Sequence, residues 1–194
     1  MNRLVIVGCG GFGREVHDIV DALISTGDTY EVVGYVDDSP SASNRALLAA
    51  RDAEVLGPLG WFESADREIA YIIGIGNGPI CRRIDRQLTE WGFEAATLVH
   101  PEATTGFDVR MQPGVVIAAG ARLTTNISLG RHVHIDRNCV VGHDSRLRDY
   151  VVALPAAGVA GATTIGEATL LGTQSAVLQG LVVGSEVRLG AGAI

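Results

Sequence analysis

The residues best placed to do acid–base chemistry are His143 and Asp144, in the run Val141-Gly142-His143-Asp144-Ser145. A neutral imidazole can take a proton from an amine or hydroxyl near pH 7, and a neighbouring carboxylate can raise its basicity. A second candidate is the run Gly8-Cys9-Gly10-Gly11-Phe12-Gly13, which follows the apolar stretch Leu4–Val7. Gly8, Gly10 and Gly13 match G-x-G-x-x-G, in which backbone N–H groups at a helix N-terminus receive an anion. Asp37 lies 24 residues beyond Gly13, near the spacing of a ribose-binding carboxylate. A tight strand–helix turn without a ligand would produce the same pattern. His132 and His134 read as exposed polar side chains on a strand. With His143 they make no metal set, because 132, 134 and 143 do not recur at one period.

Composition removes several classes. All fifteen basic residues are Arg and none is Lys, which excludes a Schiff-base or P-loop lysine. Any charge contact to a phosphate must use Arg or backbone N–H groups. A net charge of −7 without a basic run argues against nucleic-acid binding. No apolar run reaches 18 residues, so no membrane span is expected. The opening MNRLVIVGCGG reads as a buried strand rather than a signal peptide. Cys9, Cys81 and Cys139 are odd in number and lack C-x-x-C spacing, so they read as buried thiols of a cytoplasmic protein. Aromatics are only 5% while Gly is 25 of 194, which calls for cores of small and branched aliphatic side chains.

Two grammars divide the chain. Over residues 1–99, strands alternate with helices. Leu4–Val7, Tyr30–Val36, Ile69–Ile75 and Phe93–Val99 read as strands. Val16, Ile19, Val20, Leu23 and Ile24 mark one helix ending at Gly27, and Ile80, Ile84 and Leu88 mark another ending at Gly92. Ser39 to about Asn44 reads as a polar loop. This alternation predicts a Rossmann-like parallel sheet with covered faces. A pyridine-nucleotide enzyme is disfavoured, because 99 residues hold only half of such a domain. His100-Pro101 marks the junction, since Pro forces an extended residue before it.

Over residues 100–194 helical periodicity vanishes. Every sixth position from Ile117 to Leu189 is Val, Ile or Leu, apart from Ala153. Four positions later stand small or aliphatic residues such as Ala121, Cys139 and Ser145, and Gly follows the aliphatic residue at 130, 142, 166, 172, 184 and 190. Three hexads close one triangular coil, so the pattern predicts a parallel β-helix of about four coils. The aliphatic residue points inward, and Gly supplies backbone freedom at the turns. Residues 18 apart stack on adjacent rungs about 4.8 Å apart, which sets Gly161 one rung above His143 and His134 one rung below Val152. The register runs to Ile194, so the last coil needs a cover, from a partner or from further chain.

The opening GxGG-x-GRE, the strand end Asp37-Asp38, the Ile75-Gly76-Asn77 strand end, His100-Pro101 and the hexapeptide array together resemble bacterial sugar acyltransferases of the sialic-acid O-acetyltransferase type, the PglD/NeuD-like group. The resemblance covers essentially the whole chain. It implies a left-handed β-helix, a homotrimer, acetyl-CoA as donor and a nucleotide-linked amino sugar held by the N-terminal domain. It implies His143 as general base, Asp144 as its tuning carboxylate and the Gly161 N–H as oxyanion donor. It places the nucleotide sugar on Gly10, Gly11, Phe12, Asp37, Asp38 and Gly76. The donor groove falls at Val152, Gly161, Thr173 and Ala191, with Thr173 and Ala191 expected on the rungs above Gly161. Cys139, at an inward position, is sterically unavailable as a nucleophile, so direct attack is expected. The chain departs from the family pattern at Phe12 (often His), Asp136 (often Asn), Gly142 (often acidic) and Val152 (often His). Those departures carry the alternative reading, a non-catalytic trimeric scaffold or ligand sensor.

Overall fold

The computed structural model describes residues 2–194. The chain divides into two compact units, the first holding the residues up to Ile75 with Arg83–Ala96, the second Gly76–Arg82 with Thr97–Ile194.

The first unit is an α/β layer built on a parallel sheet. Its elements are β1 (Asn2–Val7), α1 (Gly11–Ser25), β2 (Tyr30–Val36), α2 (Ala42–Ala49), β3 (Val55–Gly57) and β4 (Ala70–Ile73), in sheet order β3-β2-β1-β4. The central strand β1 is apolar and buried from Leu4 to Val7, as a strand covered on both faces must be. Helix α1 presents Val16, Ile19 and Val20 to the core and ends before Gly27, whose φ of 111° only glycine adopts freely. A further helix, α3 (Gly78–Glu90), has residues in both units.

Two details differ from the sequence reading. The supposed loop after Ser39 contains α2, started by Ser41, whose hydroxyl accepts the Asn44 N–H at 3.1 Å. This helix is short and buries only Leu48, so it leaves almost no apolar period to read. Segment 93–99 is not one strand. Ala95 bridges Tyr71, whereas Leu98–Val99 pairs with Val116–Ile117 in the second unit.

The second unit is a left-handed parallel β-helix of three sheets, two of five strands and one of six. Each ladder joins residues 18 apart, as in His134↔Val152, Val140↔Gly158 and Arg146↔Thr164. The column read from Ile117 onward points inward and forms one core through Val177. That column extends backward through Val99, Thr105 and Met111, which pair below Ile117, Leu123 and Leu129. The repeat therefore starts one coil earlier than its aliphatic signature, because Thr and Met stand where Val, Ile or Leu stand later.

The glycines do a different job from the one expected. None of those at 130, 142, 166, 172, 184 or 190 has positive φ. Every sixth residue from Asp108 to Asn126, Asp144, Ala162 and on to Gly192 is left-handed instead. The glycines at 130, 142, 166 and 172 serve close approach between rungs: a Cβ on Gly172 would lie 2.6 Å from the Ala191 nitrogen, whereas Gly184 and Gly190 have room for a Cβ. His132 and His134 also differ, being buried rather than exposed. His132 lies parallel to the Tyr150 ring with centroids 6.0 Å apart, and His134 is flanked by Val116 and Val152 on neighbouring rungs. The turn into α3 crosses this corner, since a Cβ on Gly78 would meet the Tyr150 carbonyl oxygen at 2.6 Å.

Candidate active site

His143 and Asp144 form a corner between strands Val140–Val141 and Arg146–Leu147. Asp144 occupies a left-handed position, with φ of 59°. The corner is tied to its neighbours: the Asp144 N–H donates to the Thr125 carbonyl at 3.0 Å, and the Ala162 N–H donates to the His143 carbonyl at 2.6 Å. Beneath it, inward hydroxyls replace the aliphatic residues of the same column. Ser145 Oγ donates to the Ala160 carbonyl at 3.1 Å, and Thr163 Oγ1 donates to the Leu178 carbonyl at 3.3 Å. These bonds tie the corner to the carbonyls of the rung above.

The His143 imidazole is half-exposed, and its Nδ1 lies 2.7 Å from Asp144 Oδ2. A carboxylate can only accept, so Nδ1 carries the hydrogen and Nε2 keeps its lone pair. The bond from His143, helped by one from Asn126, holds the Asp144 carboxyl below its ordinary range, and Asp144 stays charged at neutral pH. The other face of the ring covers Gly161: a Cβ there would fall 2.5 Å from Nε2. Gly161 therefore sits one rung above His143, as its spacing predicts. At Gly142 a Cβ would lie 2.5 Å from the Gly161 nitrogen. The departure to glycine at 142 thus fits the close rung above it.

Cys139 is inward and fully buried, with its thiol 3.1 Å from the Leu154 carbonyl. Burial pushes this thiol up to about 11, so it is not a thiolate at neutral pH. Asp136 is nearly buried and accepts the Arg137 N–H at 2.6 Å. Val152 is buried on the strand between His134 and Leu170. Thr173 and Ala191 are exposed, but they do not stand above Gly161. Gly180 N–H donates to the Gly161 carbonyl and Gly192 N–H to the Thr173 carbonyl, so Gln179 follows Gly161 while Thr173 and Ala191 share a different corner. The interval from 161 to 173 is two hexads, one side short of a full coil.

In the first unit, the glycine run joins β1 to α1. Gly13 admits no side chain, because its Cβ would overlap the Gly8 carbonyl oxygen, whereas Cβ atoms on Gly10 and Gly11 would meet nothing within 4 Å. Asp37 ties this loop together: Oδ2 accepts the Cys9 N–H at 2.9 Å and Oδ1 accepts the Ser39 N–H at 2.9 Å. Burial opposes its charge, but those two donors and Arg45 outweigh it and hold the carboxyl below its usual range. Asp38 Oδ1 accepts the Leu59 N–H at 2.8 Å. Phe12 is half-buried in the first turn of α1. Gly76, assigned to the second unit, has open space where a Cβ would be. The Cys9 thiol is pushed up to about 11 by burial and by Asp37, so it too is no nucleophile. Among the described residues, no three His, Cys, Asp or Glu side chains gather for a metal ion, and no helix is long and apolar enough to cross a membrane.

Asn126 was not singled out by sequence reasoning. It carries no motif, and its only signal is arithmetic: it precedes Asp144 by 18 residues, one full coil.

The chain thus carries a Rossmann-like α/β unit and a hexapeptide β-helix with a His-Asp corner. Residues 3–88 match the family model of the PglD N-terminal domain. The whole chain is also similar to solved structures. A point variant of perosamine N-acetyltransferase from Caulobacter crescentus, in complex with CoA and GDP-perosamine, is 26% identical with a TM-score of 0.84, over 99% of this chain and 87% of that one. The acetyltransferase domain of PglB from Neisseria gonorrhoeae, in complex with acetyl coenzyme A, is 26% identical with a TM-score of 0.69, over 100% and 91%. WeeI from Acinetobacter baumannii, 18% identical with a TM-score of 0.65 over 99% and 95%, shares the fold.

Proposed function

We propose that this protein transfers an acetyl group from acetyl-CoA to an amine, or a hydroxyl, of a nucleotide-linked sugar. The observation that carries this reading is the 2.7 Å contact between His143 Nδ1 and Asp144, which leaves Nε2 free beside Gly161. The acceptor nitrogen attacks the thioester carbonyl while Nε2 takes its proton. The C–S bond then breaks, and the departing thiolate receives that proton from Nε2–H. The carbonyl oxygen gains charge in the tetrahedral intermediate, and the Gly161 N–H would donate to it. No acyl-enzyme forms, since Cys9 and Cys139 are protonated and buried.

The acceptor's nucleotide would rest on the first unit. Its phosphates would approach the open Gly10-Gly11 backbone near Phe12, and ribose or base would use lone pairs left on Asp37 and Asp38. Acetyl-CoA is the donor, running past Gly161, with Val152, Thr173 and Ala191 lining its groove from whichever subunit presents them. We place His143 at a boundary in a homotrimer, where the long donor would lie between neighbouring prisms. Sequence boundaries of 1–99 for the acceptor domain and 100–194 for the transferase domain, and a cytoplasmic setting, complete the reading.

The test is free-thiol release from acetyl-CoA against a panel of nucleotide-linked amino sugars. Turnover with one of them, and acetylated sugar among the products, is expected. A trimer that binds these sugars without any thiol release would favour the scaffold reading instead.

A further inference from the structure

Asp144 has two oxygens with two different partners. Oδ2 faces His143 Nδ1 at 2.7 Å, and Oδ1 accepts the Asn126 side-chain N–H at 3.0 Å. Asn126 and Asp144 are both left-handed corner residues, with φ of 56° and 59°, stacked one coil apart. The amide must present its NH2 group to Asp144, since a carboxylate only accepts. Thr125 Oγ1 lies 3.5 Å from the other end of that amide, Oδ1, and 3.0 Å from the Phe107 carbonyl. The corner below the base is therefore wired to the base through one carboxylate.

This wiring matters because the pair is open to solvent. Asn126, Asp144, Ser128 and Arg146 line a groove of about 280 Å³. An exposed carboxylate held by one hydrogen bond rotates and trades partners with water, and the imidazole it orients does the same. A second bond on the opposite oxygen fixes the carboxylate plane.

We propose that Asn126 is a positioning residue: by holding Asp144 Oδ1 it keeps Oδ2 on His143 Nδ1 and so fixes the imidazole as the Nδ1–H tautomer, with Nε2 as the proton-accepting atom. The tautomer claim is a property of the protein alone, whereas its effect on turnover rests on the acetyltransferase reading. Substitution at 126 leaves the coil intact, because Ala occupies the equivalent left-handed corner at 156, 162 and 168, and Gln does so at 174.

The test is imidazole ¹⁵N NMR of His143 at neutral pH, with steady-state kinetics, on wild type, Asn126→Ala, Asn126→Asp and Asn126→Gln. Wild type is expected to show a single Nδ1–H tautomer. The Ala variant, which lacks the donor, and the near-isosteric Asp variant, which accepts instead, should each show a mixture. Both should lower kcat roughly tenfold with the KM for acetyl-CoA unchanged. The Gln variant, which still donates, should restore most of the tautomer and the rate. A single tautomer retained in Asn126→Ala, or an Asp variant indistinguishable from wild type, would overturn the proposal whatever the activity. A mixed tautomer in the Ala variant, in a protein whose wild type shows no acetyl transfer, would support the positioning of His143 and overturn the acetyltransferase reading instead.

Discussion

Gly161 lies directly against the His143 ring: a Cβ at 161 would stand 2.5 Å from Nε2 and 2.7 Å from Cε1. All three nearest atoms belong to the imidazole, and Gly161 has no positive φ to lose. Gly161→Ala should therefore displace the base without straining the coil. Its melting temperature should stay close to wild type, while kcat falls roughly 10²-fold, the scale of losing a positioned general base. Combining it with His143→Ala should add almost nothing, and a thermal scan with a double-variant kinetic cycle checks this.

A second consequence concerns pH and stability. Burial, with His132 beside it, pushes His134 down to about 3. In the unfolded chain a histidine titrates near 6.5. Between those values the unfolded chain takes up a proton that the folded chain refuses, so stability is full above about 6.5 and falls as the pH drops. One such group contributes a slope of about 1.4 kcal/mol per pH unit. Denaturant titrations from pH 7 to pH 4 should show this slope, and His134→Leu should flatten it.

A third concerns the acceptor side. Asp37 receives the Cys9 and Ser39 N–H groups, so it shapes the glycine loop proposed to hold the nucleotide. Asp37→Ala should raise the KM for the nucleotide sugar far more than that for acetyl-CoA. Initial-rate kinetics with each substrate varied will show the split, and equal effects would remove Asp37 from the acceptor site.

The second half of the chain was legible because each hexad repeats one physical demand, an aliphatic residue aimed into a narrow prism. That demand located Ile117 through Leu189, the inward seat of Cys139 and the stacking of Gly161 on His143. It faded at Thr105 and Met111, where the coil continues with other residues. It also said nothing about which glycine does what. Left-handed corners fall at Asp144, Ala162 and their equivalents, and no residue type marks them consistently. The burial of His132 and His134 was hidden because it depends on neighbours one coil away, Tyr150 beside His132 and Val116 and Val152 beside His134. Thr173 and Ala191 were set on the wrong corner by counting two hexads as a coil. Helix α2 escaped because it buries a single leucine.

The central claim is that His143 is the base and that no thiol carries the acetyl group. The most direct test is one kinetic comparison of wild type, His143→Ala and Cys139→Ser, with acetyl-CoA binding measured on each. Loss of a general base costs roughly 10²–10⁴-fold in rate. His143→Ala should lose kcat by that factor while binding acetyl-CoA as wild type does, and Cys139→Ser should stay near wild-type kcat. Near-full activity in the His143 variant, or its loss in the Cys139 variant, would contradict the account.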